Sequence, residues 1–260
     1  MPKSNPKVTV TMPAYNASKY INEAIKSVLT QDYNSFELLI LDDGSTDNTW
    51  DIIRQYRKDP CVRIYRNKKN SGVAKTRNKL VKLAKGKYIS ICDADDLMLL
   101  GNLKTLSKFL DTHPKIGVVY GNMLILNINN KNELTKRPYV AKTDYVAKWD
   151  LLERNSIVSH PGAMIRKEAI SRAGGYDEAL FYLDDLSLWL KLFEVTKFEY
   201  LKDGLYYIWR RHPQSLTRVV GPELKFVDRD RIKELAIDEE RIKIKEEAIK
   251  RRYGFDFKFR

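Results

Sequence analysis

Cysteine is scarce in this chain: Cys61 and Cys92 are the only two in 260 residues. Neither has the spacing of a metal ligand, so a reducing, cytoplasmic setting is the expectation. Long apolar runs are missing too. No stretch approaches the ~18 residues that a membrane span needs, and the start, MPKSNPKV, has no apolar core of a signal peptide. No Gly- or Ser-rich linker, internal repeat or low-complexity segment interrupts the chain, which leaves one compact domain over 1–220 and a charged helical tail over 221–260. A Walker A loop and a dinucleotide glycine fingerprint are absent. So are an RNA-binding signature, a finger spacing and a helix-turn-helix, and the net charge of +13 therefore does not imply nucleic acid. It fits a polyanionic partner or a Lys-rich solvated surface equally well.

The first hundred residues alternate between two periodicities. KVTVTMP, FELLILDD, VRIYRN and KYISIC are short, apolar and rich in β-branched residues. Between them, SKYINEAIKSVLTQ carries Tyr20, Ile21, Ala24, Ile25, Val28 and Leu29 on one helical stripe, with Ser18 as its expected N-cap. STDNTWDIIRQYRK is expected as a Ser- or Thr-capped helix, and GVAKTRNKLVKLAKG as one closed by Gly86. This order predicts a mostly parallel α/β sheet flanked by helices. Further on, NLKTLSKFLDTHP and DDLSLWLKLFEV predict helices, KIGVVYGNMLILN a long strand, NNKNELTKRP a polar loop, and FEYLKDGLYYIWRRH a hairpin turning at Asp203 and Gly204.

In an open α/β sheet, ligands bind beyond the carboxyl ends of the strands. Here those ends read MPAYN, LDDGSTD and CDADD, which gathers Tyr15, Asn16, Asp42, Asp43, Asp93, Asp95 and Asp96 on one edge. Close carboxylates repel one another. An oxygen-preferring divalent cation, Mg²⁺ or Mn²⁺, would compensate them and could hold a diphosphate. Asp after a strand is also a common cap or turn former, an explanation that serves DDGSTD better than it serves the three carboxylates of DADD.

PAYN, QDYNSFELLILDDGSTD, NSGVAKTRN and GKYISICDADD, in this order, resemble the successive motifs of family 2 glycosyltransferases with the GT-A (Rossmann-like) fold. GGYDEALFYLDDLSLWLKL and YYIWRRHPQSLT resemble that family's acceptor-side segments, so the resemblance reaches about residue 218. It implies an inverting transfer of a sugar from a nucleotide donor, usually a UDP-sugar, to a hydroxyl of a glycan, a lipid-linked or another polysaccharide precursor. Residues 1–100 would form the nucleotide half and 101–220 the acceptor half. The resemblance assigns Pro13, Ala14 and Tyr15 to the base and ribose, Asp43 to the uracil imide, and Arg77 to the nucleotide site, where it would bind a phosphate or brace the carboxylates. Asp93 would contact the ribose or the metal shell and Asp95 the metal itself. His212 would add a metal or phosphate contact, with Arg210 and Arg211 reaching the diphosphate. The general base would be Asp185, oriented by Asp184, where the family commonly has Glu-Asp.

A nucleotidyltransferase of similar fold would need the same cation and nucleotide, but not the Asp184-Asp185 pair. A phosphatase with an Asp nucleophile would carry its acidic motif on the first strand. A catalytically inactive nucleotide- or polyanion-binding module is the alternative from a different class. In the tail, Ile232, Leu235, Ile242 and Ile249 form an apolar seam. It would pack on the domain, pair two chains, or make a peripheral contact at the inner face of the membrane.

Overall fold

Leu38, Leu39, Ile40 and Leu41 are all fully buried, as an apolar run covered by helices on both faces should be. In the computed structural model they form the middle of β2 (Phe36–Asp42). The structure describes residues 5–128, 133–137, 158, 160–180 and 184–215. The chain divides after His212, and the fold and site below belong to the unit that ends there. The predicted tail helix and its apolar seam lie outside the described residues.

β1 (Val8–Ala14) lies between β2 and β4 (Tyr88–Ile91), and β3 (Val62–Arg66) flanks β2; all three pairings are parallel. The period of two along these strands sorts their side chains onto two faces. Val8, Val10, Met12, Leu38 and Ile40 pack with Ile21, Ala24, Ile25 and Val28 of α1 (Ile21–Leu29). Leu39, Leu41, Ile89 and Ile91 pack with Ala74 and Leu80 of α3 (Val73–Leu83). Each fully buried Leu or Ile is worth about 1.5–3 kcal/mol, so the two faces together pin the register. α2 (Thr49–Ile53) continues as a 3₁₀ turn over Arg54–Lys58.

After β4 come β5 (Leu97–Met98), α4 (Asn102–Thr112), β6 (Ile116–Asn127), β7 (Glu133–Arg137), β8 (Met164–Arg166), α5 (Lys167–Arg172), α6 (Asp184–Val195) and β9 (Lys197–Arg211). The strand order is β3-β2-β1-β4-β8-β6-β9-β5, with β7 beside β6. β8 is antiparallel to both β4 and β6, which turns the parallel half into a mixed sheet. β9 then runs parallel to β6.

Several local expectations give way to tertiary contacts. Tyr20, not Ser18, occupies the N-cap of α1, with no side-chain cap bond; the Ser18 N–H instead donates to Asp47 Oδ2 at 3.1 Å. α2 has no Ser or Thr cap: Asn48 precedes it, and Asp47 Oδ1 accepts from the Thr49 N–H at 2.9 Å. α3 ends at Ala84, and Gly86 serves a close approach, since a Cβ there would sit 2.5 Å from Thr9 N. Part of the predicted polar loop is β7, paired with β6. The Asp203-Gly204 signal marks a bulge inside one continuous strand. The register jumps from Gly121↔Leu201 to Asn122↔Leu205, and Asn122 Nδ2 donates to the carbonyls of Lys202 and Gly204 at 2.7 and 3.0 Å. The extra residues are held by a side-chain amide in place of the ladder.

Candidate functional site

The ends of β1 and β2 are stitched together before any ligand is considered. The Asp43 N–H donates to the Ala14 carbonyl at 2.8 Å. Asn16, at φ 49°, receives the Thr46 N–H on Oδ1 at 2.9 Å and donates its own N–H to Ser45 Oγ at 2.9 Å. Pro13 and Ala14 complete β1 at this edge, and Tyr15 is left 47% exposed just beyond it. An exposed tyrosine on a fixed turn is available to stack on a planar group.

Asp42 and Asp43 both work on loops. Asp42 Oδ1 accepts from the Ser45 N–H at 3.1 Å, and Oδ2 lies 2.9 Å from Arg66 Nε. Asp43 Oδ1 accepts from Asn67 Nδ2, the Ser71 N–H and Ser71 Oγ, and Oδ2 from the Gly72 N–H, at 2.7–3.0 Å. A carboxylate has about four lone-pair sites, so Asp43 spends its acceptor capacity on the 67–72 loop. Direct acceptance from a base imide there requires one of these donors to leave.

The DADD segment is pinned by β9. Tyr207 Oη accepts from the Asp93 N–H at 2.9 Å, and Asp96 Oδ1 accepts from the Arg210 N–H at 2.8 Å. Asp96 is buried, and burial, then Asp95 and Asp93, push its carboxyl well above the usual range; its role is to fix the loop. Asp95 keeps its side chain 30% exposed and faces His212, with Oδ2 to Nε2 at 2.9 Å. The His212 ring packs against that of Tyr20, centroids 4.5 Å apart and planes tilted by 37°. The Arg210 guanidinium is buried and paired with Glu23 Oε2 at 2.5 Å, and alternation along β9 sends 210 and 211 to opposite faces. Arg211 lies over the Trp209 ring at 4.9 Å.

Among the described residues no group of three His, Cys, Asp or Glu side chains forms a ready-made metal cage. The Asp95–His212 pair nonetheless suits a divalent cation that shares its coordination with phosphate oxygens. Such ions keep few protein ligands, and an imidazole beside a carboxylate is a donor set that Mn²⁺ accepts.

Arg77, on α3, joins the two sets of carboxylates. Its Nη2 donates to Asp93 Oδ1 at 3.0 Å, and its Nη1 to Asp184 Oδ2. The side chain is 11% exposed, and its guanidinium lies 5.8 Å from the centre of the Tyr176 ring. In this arrangement Arg77 braces the carboxylates of Asp93 and Asp184. Burial works against its charge, but Asp184 and Asp93 outweigh that and raise its pKa well above the usual value. Next along α3, Asn78 clamps the Tyr176 backbone, donating to its carbonyl and accepting its N–H, both at 2.9 Å. Tyr176 Oη meets His160 Nε2 at 2.9 Å; burial, then Arg77, hold that imidazole well below its usual pKa and so neutral.

Asp184 and Asp185 open α6, where the helix dipole favours negative charge. Asp184 is buried on Arg77. Asp185 is half-buried and accepts the Leu186 N–H at 2.8 Å. Burial, then Asp184, raise its carboxyl to about 6 against the pull of Arg77. A carboxylate poised there can take a proton near neutral pH.

Strand-end position gathers Asp43, Asp93 and Asp95 at this edge, and the family resemblance adds Arg77 and the Asp184-Asp185 pair, but neither singles out Tyr176 or Tyr207. These make their bonds to residues 16 to 114 positions away, and no local pattern encodes that.

The family described as Glycosyl transferase family 2 matches residues 9–174. EpsE of Bacillus subtilis, assigned by name as a glycosyltransferase, is 32% identical over 195 residues, 74% of this chain and 68% of its own. The chondroitin synthase of Pasteurella multocida is 31% identical over 206 residues, 77% of this chain but 20% of its own. The chain thus spans between 20% and 68% of the length of the curated relatives it matches. Among solved structures, S. aureus TarS 1-349 superposes with a TM-score of 0.67 at 25% identity, covering 96% of this chain and 72% of that one. It has been solved with UDP and with UDP-GlcNAc.

Proposed function

The chain belongs to glycosyl transferase family 2, and from that we propose an inverting transfer of a sugar from a UDP-sugar to a hydroxyl of a polysaccharide-type acceptor. The observation that carries this reading is the Arg77 bridge, which joins Asp93 of the strand-end loop to Asp184 beside the candidate base. A binding module has no need of a second carboxylate pair, and a nucleotidyltransferase has no need of a base at the head of α6. The UDP and UDP-GlcNAc complexes of TarS support the donor class, and the likeness to a chondroitin synthase supports a glycan acceptor.

Tyr15 stacks on the base, with Pro13 and Ala14 forming the floor of that pocket. Asp43 shapes the base pocket through the 67–72 loop, and Asp93 contacts the ribose. Asp95 and His212 hold Mg²⁺ or Mn²⁺, with Asp93 beside them. The bound cation supplies positive charge for the leaving diphosphate. The acceptor oxygen attacks the anomeric carbon as the bond from that carbon to the phosphate oxygen breaks. UDP leaves with the electron pair, and the hydroxyl proton passes to the Asp185 carboxylate. Asp184, held by Arg77, orients Asp185. Among the described residues both cysteines are free thiols and no helix is long and apolar enough to cross a membrane. We place the reaction on the cytoplasmic side.

Asp185→Asn keeps the side chain's size and removes its proton affinity. The expected result is near-normal UDP-sugar affinity with transfer reduced by about 10²–10⁴. Wild-type turnover would put the base elsewhere. Loss of UDP binding would make Asp185 part of the donor site.

A further inference from the structure

At the opposite end of the sheet from the carboxylates, where β1 and β4 begin, lies a cavity of ≈ 570 Å³. Lys7, Lys85, Lys87, Arg166 and Lys167 line it, against one carboxylate, Glu168. Their partners decide what it can hold. Lys7 is paired with Asp111 at 2.5 Å. Arg166 is buried, and its guanidinium donates to the carbonyls of Leu110, Ile116 and His113 at 2.5, 2.8 and 3.1 Å. Those carbonyls take up its Nε and Nη2 hydrogens without cancelling its charge. Lys167 Nζ likewise donates to the Ala84 carbonyl at 2.5 Å. Lys85 and Lys87 are exposed at the rim, and among the described residues neither forms an ion pair.

Five positive charges thus face two negative ones, Glu168 and the Asp111 behind Lys7, an excess of three. Low-dielectric walls concentrate such a field. A lysine ammonium is a point charge without the planar fork of arginine, so the rim selects charge density over shape. A phosphate group carries about 1.5 to 2 negative charges at neutral pH, and linked phosphates meet that excess in the smallest volume.

We propose that this cavity binds a phosphate-dense anion, a diphosphate or longer, independently of the catalytic edge. The phosphates come either from a soluble molecule or from the headgroups of an anionic lipid surface.

The probe is inorganic pyrophosphate, titrated calorimetrically into the full chain in chelator, where the carboxylates at the far edge repel it. Binding should weaken with salt. Lys85→Glu with Lys87→Glu should lower the affinity tenfold or more, leaving metal-supported UDP binding and the melting temperature unchanged, while the paired Arg substitutions retain it. A second arm floats the protein on phosphatidylglycerol and phosphatidylcholine vesicles. Recruitment to the anionic vesicles alone, lost in the double Glu variant, identifies a bilayer as the source. Pyrophosphate binding without recruitment identifies a soluble anion. The proposal is overturned if the wild-type chain binds neither probe, or if whatever binding occurs is the same in the double Glu variant.

Discussion

Asp185 and Arg77 set the chemistry at the scale of single residues. With its carboxyl raised to about 6, Asp185 is protonated below that pH and unable to act as a base. Transfer should therefore rise with pH along an acid limb centred near 6, and kcat/KM profiles of wild type and Asp185→Asn check it: the variant's residual rate should lose that limb. The same shift has a stability consequence of opposite sense. A raised folded-state pKa contributes stability that is complete below the unfolded value of 3.8 and is lost as pH rises through 6. Asp185→Asn should accordingly melt higher than wild type at pH 8, with the difference vanishing toward pH 4. Arg77 behaves otherwise. Arg77→Gln leaves Asp93 and Asp184 without their shared partner, and breaking a buried pair by removing one member costs about 3–5 kcal/mol. Denaturant unfolding should show that loss, with Arg77→Lys losing less; an unchanged midpoint would make the bridge incidental.

Among the elements, α3 is the joint between the two halves of the site. Arg77 and Asn78 are consecutive residues, yet one grips carboxylates and the other grips the Tyr176 backbone. Gly175 makes the second grip possible. It sits at φ 73°, and a Cβ there would meet Asn78 Oδ1 at 2.7 Å, whereas Gly174, at φ 76°, has open space around it. Gly174→Ala should cost only the left-handed backbone penalty of about 1–2 kcal/mol. Gly175→Ala should lose that and more, and thermal melts of the two variants side by side test the difference. Adding Asn78→Ala should narrow the gap. The helical and strand periods of the first hundred residues were enough to place β1–β4, α1 and α3, because burial on two faces leaves apolar runs that can be read locally. The bulge in β9 was not legible: Asp-Gly is a turn signal, and only the partner residue Asn122, 80 and 82 positions earlier than the carbonyls it holds, distinguishes a bulge from a hairpin.

At the scale of the whole described sheet, the carboxylate edge and the basic cavity lie at opposite ends of the strands. UDP should raise the melting temperature with Mg²⁺ or Mn²⁺ present and do so much less in chelator, because the strand-end carboxylates repel a bare diphosphate. Equal shifts in both conditions would remove the cation from the donor site. That so much of this edge was readable follows from the α/β architecture, which delivers Tyr15, Asp43 and Asp93 to one place from strand order alone. The linkage of Arg77 to Asp184 spans 107 residues and needed coordinates.

β9 and the residue that follows it clamp the DADD segment three times: Tyr207 on the Asp93 N–H, Asp96 on the Arg210 N–H, and His212 on Asp95, across separations of 114, 114 and 117 residues. During synthesis, the parallel strands through β4 emerge long before β9 does. A nascent chain halted at residue 195 would own every acidic residue of the site and still lack the backbone that aims them, so competence for the nucleotide should arrive late and in one step as β9 docks.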